Sequence, residues 1–130
     1  MKKQAESWLN AAEDDLLVIK EIIDNENLTH MVAFHAQQSI EKSIKAVLEE
    51  KEEDIPRIHN LIQLRGRIEK YIQLDIDEDI FNQINELYTD SRYPTDLGLL
   101  PDGKPTQEIA KEFNSLAQSI CNKIKKYLEE

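Results

Sequence analysis

Apolar residues recur every three or four positions along most of this 130-residue chain. The clearest run lies near the carboxyl terminus and consists of Ile109, Phe113, Leu116, Ala117, Ile120, Ile124 and Tyr127. This spacing places the apolar side chains on one side of an α-helix, whereas a β-strand would require strict alternation. No convincing alternation occurs elsewhere, and the sequence therefore predicts an all-helical protein.

Helix-capping and helix-breaking residues divide this pattern into five segments. The first runs from Ala5 to Ile23, and Thr29 is the expected cap of the second. Asn60 can cap a short third helix, Pro94 ends the fourth, and Thr106 can cap the fifth. The order predicts an up-and-down antiparallel bundle of four long helices plus one shorter helix.

The size and charge of the chain restrict its class and its partners. A length of 130 residues suits a single domain over residues 1–130, and 40% apolar residues can supply a core. The formal net charge of −10 argues against DNA binding, and contact with RNA would require a local basic patch. The amino terminus leads directly into an amphipathic pattern, so we expect no signal peptide, no membrane segment and a cytoplasmic location.

Motifs for metal, cofactor or disulfide chemistry are not found. The single cysteine, Cys121, cannot form an internal disulfide and is expected in the core. The three histidines do not stand at metal-ligand spacing with Cys, Asp or Glu, and no glycine-rich phosphate loop is present. We therefore expect neither a metal nor a cofactor. Three of the four prolines and two of the three glycines lie between Tyr93 and Pro105, which predicts a long loop there.

The second helical segment carries one candidate site. Phe34, Gln38, Glu41 and Lys45 share a narrow stripe that borders the apolar side of the helix. One interpretation is an exposed Glu-to-Lys pair one turn apart, which contributes about 0.2–0.5 kcal/mol. The other is a polar groove in which Glu41 orients a basic residue such as Arg92. His35 points away from this stripe, towards a surface or dimer-interface position.

The end of the fourth segment carries the second candidate site. Arg92 can interact with the terminal carbonyl groups, where the helix dipole is negative, and this is a sufficient structural role. Tyr88, Arg92 and Tyr93 also form an aromatic and guanidinium cluster of the kind that binds phosphate and stacks on a base. The residues alone leave both interpretations open.

Four fragments in this order resemble the HEPN family, the higher eukaryotes and prokaryotes nucleotide-binding domains. They are Trp8-Leu9 with Asp15-Leu16, Phe34 to Gln38 with Glu41-Lys42 and Lys45-Ala46, His59-Asn60-Leu61, and Tyr88 with Arg92-Tyr93-Pro94. The resemblance implies a helical bundle that is usually a homodimer. Many members are metal-independent ribonucleases that use an arginine followed a few residues later by a histidine. Arg92 matches the arginine, but His30, His35 and His59 all precede it.

The resemblance therefore implies a non-catalytic nucleotide- or phosphate-binding module, paired with a minimal nucleotidyltransferase in a two-component system of toxin–antitoxin type. Arg92 would hold a phosphate and Lys45 would add positive charge, while Tyr88 and Tyr93 would stack. Glu41 would orient these cations, and Gln38 would line the same site. The alternatives are a divergent ribonuclease, in which Arg92 acts with His35 or His59, and a purely structural protein-interaction bundle.

Overall fold

The computed structural model describes residues 1–89 and 104–130, with side chains up to Leu87 in the first range. These residues form five α-helices and no strand: α1 Lys3–Ile22, α2 Thr29–Glu50, α3 Leu61–Ile68, α4 Glu78–Thr89 and α5 Gln107–Glu129. A short 3-10 turn at Glu26–Leu28 joins α1 to α2. The prediction of an all-α fold with four long helices and one shorter helix is confirmed.

Contacts between the helices establish their directions. The Lys2 backbone N–H donates to the Glu50 carboxylate at 2.6 Å, which places the start of α1 beside the end of α2. The two helices are therefore antiparallel. The ammonium of Lys51 lies 5.3 Å from the ring centre of Tyr127, so α2 and α5 end at the same side of the molecule and run in the same direction. In an up-and-down bundle the second and fourth long helices are expected to share a direction.

The α2 helix occupies the centre of this bundle. Fourteen of its 22 residues are buried, and it packs against each of the other helices. The core around it contains the fully buried side chains of Ile40, Ile44, Phe81 and Phe113. Polar residues on α2 are consequently enclosed by protein on most sides, and this position determines the environment of the candidate site.

Two of the expected helix caps are confirmed and one is wrong. The side chain of Asn60 accepts from the Gln63 N–H at 3.0 Å, and that of Thr106 accepts from the Ile109 N–H at 3.1 Å. Thr29 is instead the first residue of α2, and its buried hydroxyl has no hydrogen-bond partner. The 3-10 turn begins the helical conformation before Thr29, so this residue lacks the extended backbone that a cap requires.

The third helix is shorter than its apolar spacing suggests. It ends at Ile68, and Tyr71 and Ile72 follow in a turn and a connector, although both still pack on the core. The Ile68 carbonyl accepts from the backbone N–H of both later residues, at 2.9 Å each. These two bonds close the turn that follows the end of the helix. Most of the predicted loop from Tyr93 to Pro105 lies outside the described residues.

Candidate functional site

The ion pair predicted on α2 is present and is buried. Lys45 Nζ lies 2.9 Å from Glu41 Oε2, and the two side chains are only 7% and 6% exposed. This burial excludes the interpretation as an exposed surface pair. Removing two charges from water carries a desolvation cost that their attraction often fails to exceed. Stability alone is therefore a weak reason for such a pair at the centre of the bundle.

The Glu41 carboxylate accepts hydrogen bonds from two further side chains. Gln37 Nε2 donates to Glu41 Oε1 at 3.2 Å, and His59 Nδ1 lies 3.0 Å from the same oxygen. Because a carboxylate can only accept, Nδ1 carries the proton in this contact. Gln38 Nε2 donates to Gln37 Oε1 at 2.7 Å. We refer to Gln37, Gln38, Glu41, Lys45 and His59 as the Glu41 network.

Trp8 of α1 covers the other side of this network. The ammonium of Lys45 lies 5.6 Å from the centre of the indole ring, a cation–π distance. The indole Nε1 donates to Glu49 Oε1 at 3.4 Å. Lys45 is thus engaged by an aromatic face and by Glu41, which cancels its charge locally. This arrangement suits a residue that positions Glu41 better than one that adds free positive charge to a ligand site.

His59 forms the accessible part of the Glu41 network. Its side chain is 54% exposed, and it stands directly before the cap residue of α3. Two residues further on, the Leu61 N–H donates to Asn85 Oδ1 of α4 at 2.8 Å. The second half of α4 is therefore fixed beside the start of α3, at a residue that follows the Glu41 contact His59 by two positions. The structure does not describe the side chain of Tyr88, and Arg92 and Tyr93 lie outside the described residues.

The sequence interpretation did not place two members of the network beside Glu41. His59 was named only as one of two histidines that could act with Arg92, and Gln37 only within the fragment Phe34 to Gln38. The signal for His59 is its place immediately before Asn60, because a cap fixes the backbone there and aims the preceding side chain. Gln37 carries no comparable signal, since it is recognisable only once the carboxylate one turn further along α2 is known to be buried.

A second cluster joins α1 to α2. Asp15 of α1 lies 2.9 Å from His35 Nδ1 and 2.8 Å from Lys42 Nζ. The side chains of His35 and Lys42 are 20% and 26% exposed, so both retain contact with water. We refer to these three residues as the Asp15 cluster. The ring of His35 is half-buried against α1 rather than fully on the surface, and the dimer-interface position stays a prediction.

Other kinds of site receive no support from the described part of the chain. Within residues 1–89 and 104–130, no group of histidine, cysteine and acidic side chains is arranged to hold a metal ion. Cys121 is buried, as expected, and burial raises the pKa of its thiol, which makes it a poor nucleophile. None of the helices in those two ranges combines the length and the apolar character needed to cross a membrane.

Comparison with known proteins connects this geometry to a family. No curated protein and no solved structure matches the chain significantly. A family model described as the HEPN domain matches residues 5–127. This range begins in the first turn of α1, ends in the last turn of α5 and contains both the Glu41 network and the Asp15 cluster. The chain therefore belongs to the HEPN domain family.

Proposed function

We propose that this HEPN domain binds a nucleotide, or another ligand that carries phosphate, beside the Glu41 network and does not cleave it. The observation that carries the proposal is the buried Glu41–Lys45 pair with the exposed His59 ring at its edge. Buried charges of this kind are typical of sites where a ligand, rather than stability, determines the residues. The family is one of nucleotide-binding and ribonuclease-like modules, which agrees with such a ligand.

The position of α4 supports a single combined site. Arg92 follows the last residue of α4 by three positions in the sequence, and Asn85 attaches the same helix to the start of α3. In the proposed complex, Arg92 holds the phosphate and the rings of Tyr88 and Tyr93 stack on the base. Glu41 orients the cations, with Lys45 as its buried partner.

The absence of a suitable histidine after Arg92 supports a binding function over catalysis. All three histidines precede Arg92 in the chain, whereas the family's ribonucleases place one shortly after the arginine. We further propose that the protein is a cytoplasmic homodimer and the partner of a minimal nucleotidyltransferase in a toxin–antitoxin-like system. The resemblance to that branch of the family supports this part of the proposal.

Calorimetric titration with ATP, GTP and inorganic phosphate tests the binding proposal. Arg92→Ala is expected to weaken binding of the preferred ligand at least about tenfold, because a charge-assisted bidentate contact contributes about 1.5–3 kcal/mol. Arg67→Ala is the matched control, since Arg67 is an exposed arginine on α3. Equal affinities of the two variants would remove Arg92 from the site.

Two measurements test the proposed partners. Light scattering coupled to gel filtration should give twice the mass of the 15.1 kDa chain if the protein is a homodimer. The nucleotidyltransferase encoded beside the gene, if one is present, should elute with the protein after co-expression. A monomer, or separate elution, would count against the corresponding part of the proposal without affecting the nucleotide site.

A divergent ribonuclease is the second candidate, and one contact favours it. The Glu41 carboxylate holds Nδ1 of His59, so Nε2 is the ring nitrogen that would exchange a proton with substrate. Carboxylate-oriented imidazoles are common acid–base groups. Incubation with a mixed RNA pool and a chelator tests this activity. Cleavage that His59→Asn abolishes and His35→Asn preserves would establish it, whereas intact RNA at high protein concentration would exclude it.

A further inference from the structure

A groove of about 580 Å³ lies between the start of α4, with its preceding connector, and the first half of α5. It shares no lining residue with the Glu41 network or with the Asp15 cluster. Its apolar lining comes from Ile76, Ile80 and Leu116, and the two isoleucines are partly exposed. Grooves of this volume accommodate several side chains of a bound segment. Leu116 belongs to the hydrophobic core and the two isoleucines pack against it, so only the exposed parts of Ile76 and Ile80 are left for a ligand that occupies the groove.

The charges around this groove are strongly one-sided. Its lining contains four carboxylates and a single cation, Lys111. Across the part of the chain that the structure describes, none of the four carboxylates takes part in an ion pair. They are Asp75, Asp77, Glu108 and Glu112. Unneutralised carboxylates beside a low-dielectric apolar wall produce a concentrated negative potential.

Helix stability explains only part of this charge. Asp77 accepts from the Ile80 N–H at 3.2 Å and caps α4, and Glu108 lies in the first turn of α5, where the dipole favours negative charge. Glu112 follows Glu108 by four residues, however, and like charges at this spacing destabilise a helix. Asp75 precedes α4, and its backbone carbonyl accepts from Lys123 Nζ at 2.5 Å, whereas its carboxylate takes part in no hydrogen bond that the structure records within the described residues. Two carboxylates therefore remain without a structural role.

We propose that this groove docks a basic, amphipathic segment of a protein partner. Aliphatic side chains of the segment would contact the exposed parts of Ile76 and Ile80, while lysine or arginine side chains would pair with the surrounding carboxylates. Nucleic acid and anionic membranes are repelled by the same carboxylates. Two copies of this chain that met through this groove would bring the four carboxylates of each copy together, so a symmetric dimer would use another face.

Fluorescence anisotropy with a labelled helical peptide of lysine and leucine tests the proposal. Its leucines follow helical spacing, and the comparison peptides are a scrambled version and a glutamate–leucine version. The full-length protein should bind the amphipathic basic peptide more tightly than either comparison peptide. The double variant Glu108→Lys with Glu112→Lys should weaken that binding about tenfold or more, because two attractive pairs become repulsive.

The matched control reverses two exposed carboxylates on α1, Asp14→Lys with Glu21→Lys, and changes the net charge by the same amount. This control should change the affinity by less than about threefold, since the reversed charges lie on another helix. Equal losses in the two double variants would show that the peptide follows net charge alone and would overturn the proposal. Equal binding of the scrambled peptide, or no binding of the amphipathic one, would also overturn it.

Discussion

The Glu41 network and the Asp15 cluster contain the same three chemical groups and use them differently. Each has a carboxylate held between a lysine and a histidine at distances of 2.8–3.0 Å. In the Asp15 cluster the carboxylate lies on α1, whereas the lysine and the histidine lie on α2, so the contacts connect two helices. In the Glu41 network the carboxylate and its lysine share α2, so their ion pair connects no separate elements.

The exposure of the groups shows what this difference means. In the Glu41 network, the lysine is buried and the histidine is mainly exposed. In the Asp15 cluster, the lysine is partly exposed and the histidine is half-buried. The cluster therefore holds a helix pair together at modest cost. In the Glu41 network, the buried Glu41–Lys45 pair instead holds one accessible imidazole, that of His59, in place. Identical groups can thus serve structure in one place and present a site in another.

The largest expected difference comes from removing each lysine. Lys45→Ala should reduce the free energy of unfolding by about 3–5 kcal/mol, because it leaves the Glu41 carboxylate buried without its cation. Lys42→Ala should cost about 1 kcal/mol or less, since water can replace a partly exposed ammonium. Urea denaturation followed by circular dichroism measures both values. Adding Glu41→Gln to Lys45→Ala should recover part of the loss, and equal costs for the two lysines would contradict the comparison.

The carboxylate of the Asp15 cluster should matter for stability and not for ligand binding. Asp15→Asn is expected to lower the free energy of unfolding by about 1–3 kcal/mol through weaker bonds to His35 and Lys42. The adjacent exposed change, Asp14→Asn, should stay within about 0.5 kcal/mol. Urea denaturation and nucleotide titration are measured on the same samples. A loss of nucleotide affinity in Asp15→Asn would mean that the two regions are not functionally separate.

Cap variants can show whether His59 depends on the start of α3. Asn60→Ala should cost about 1 kcal/mol and shift the ring proton resonances of His59 while leaving those of His35 in place. Thr106→Ala removes the cap of α5 at a similar cost and should move neither ring. Proton–carbon NMR spectra of the three histidines provide the measurement. Equal shifts of both rings would indicate general loosening instead of a local change.

The smallest effect concerns His30, the histidine that has no ion-pair partner within the described residues. Burial, and to a smaller extent the charge of Lys104, lowers the pKa of His30. The unfolded chain then binds this proton at a higher pH than the folded protein. The contribution of the neutral His30 ring to the free energy of unfolding is therefore fully present above about pH 6.5, the pKa of the unfolded chain. It is lost as the pH falls from there through the lowered pKa of the folded protein.

A matched variant isolates this contribution. His30→Gln should show a smaller fall in the urea midpoint than the wild type between about pH 7 and about pH 5. Carboxylates titrate in both proteins, so only the difference between the two falls reports on His30. Parallel pH profiles would show that burial of the ring has no energetic consequence.

Local signals in the sequence predicted most of the fold. Helical spacing identified the five helices, and the Asn60 and Thr106 caps follow from side chains that bond to the N–H three residues later. The error at Thr29 has a different origin. A residue of the same type caps α5 correctly, but at Thr29 the preceding 3-10 turn has already set a helical backbone, which composition does not reveal.

The candidate site was less predictable because α2 does not have a single buried face. Spacing arguments assume one apolar stripe and one hydrated side, whereas α2 is enclosed by the surrounding helices. Gln37, Glu41 and Lys45 are consequently buried although they are polar. His59 joins them from 18 residues further along the chain than Glu41, a contact that only the folded chain creates. The ligand contacts of Tyr88, Arg92 and Tyr93 stay predictions.

The indole that covers Lys45 has a practical consequence. Trp8 is the only tryptophan among the 130 residues, so nearly all ultraviolet emission excited at the red edge originates beside the Glu41–Lys45 pair. A movement of the Lys45 ammonium changes the electric field across the Trp8 ring and hence the wavelength of maximum fluorescence emission. The unlabelled protein therefore contains an intrinsic fluorophore on α1 that reports on changes at the buried Glu41–Lys45 pair.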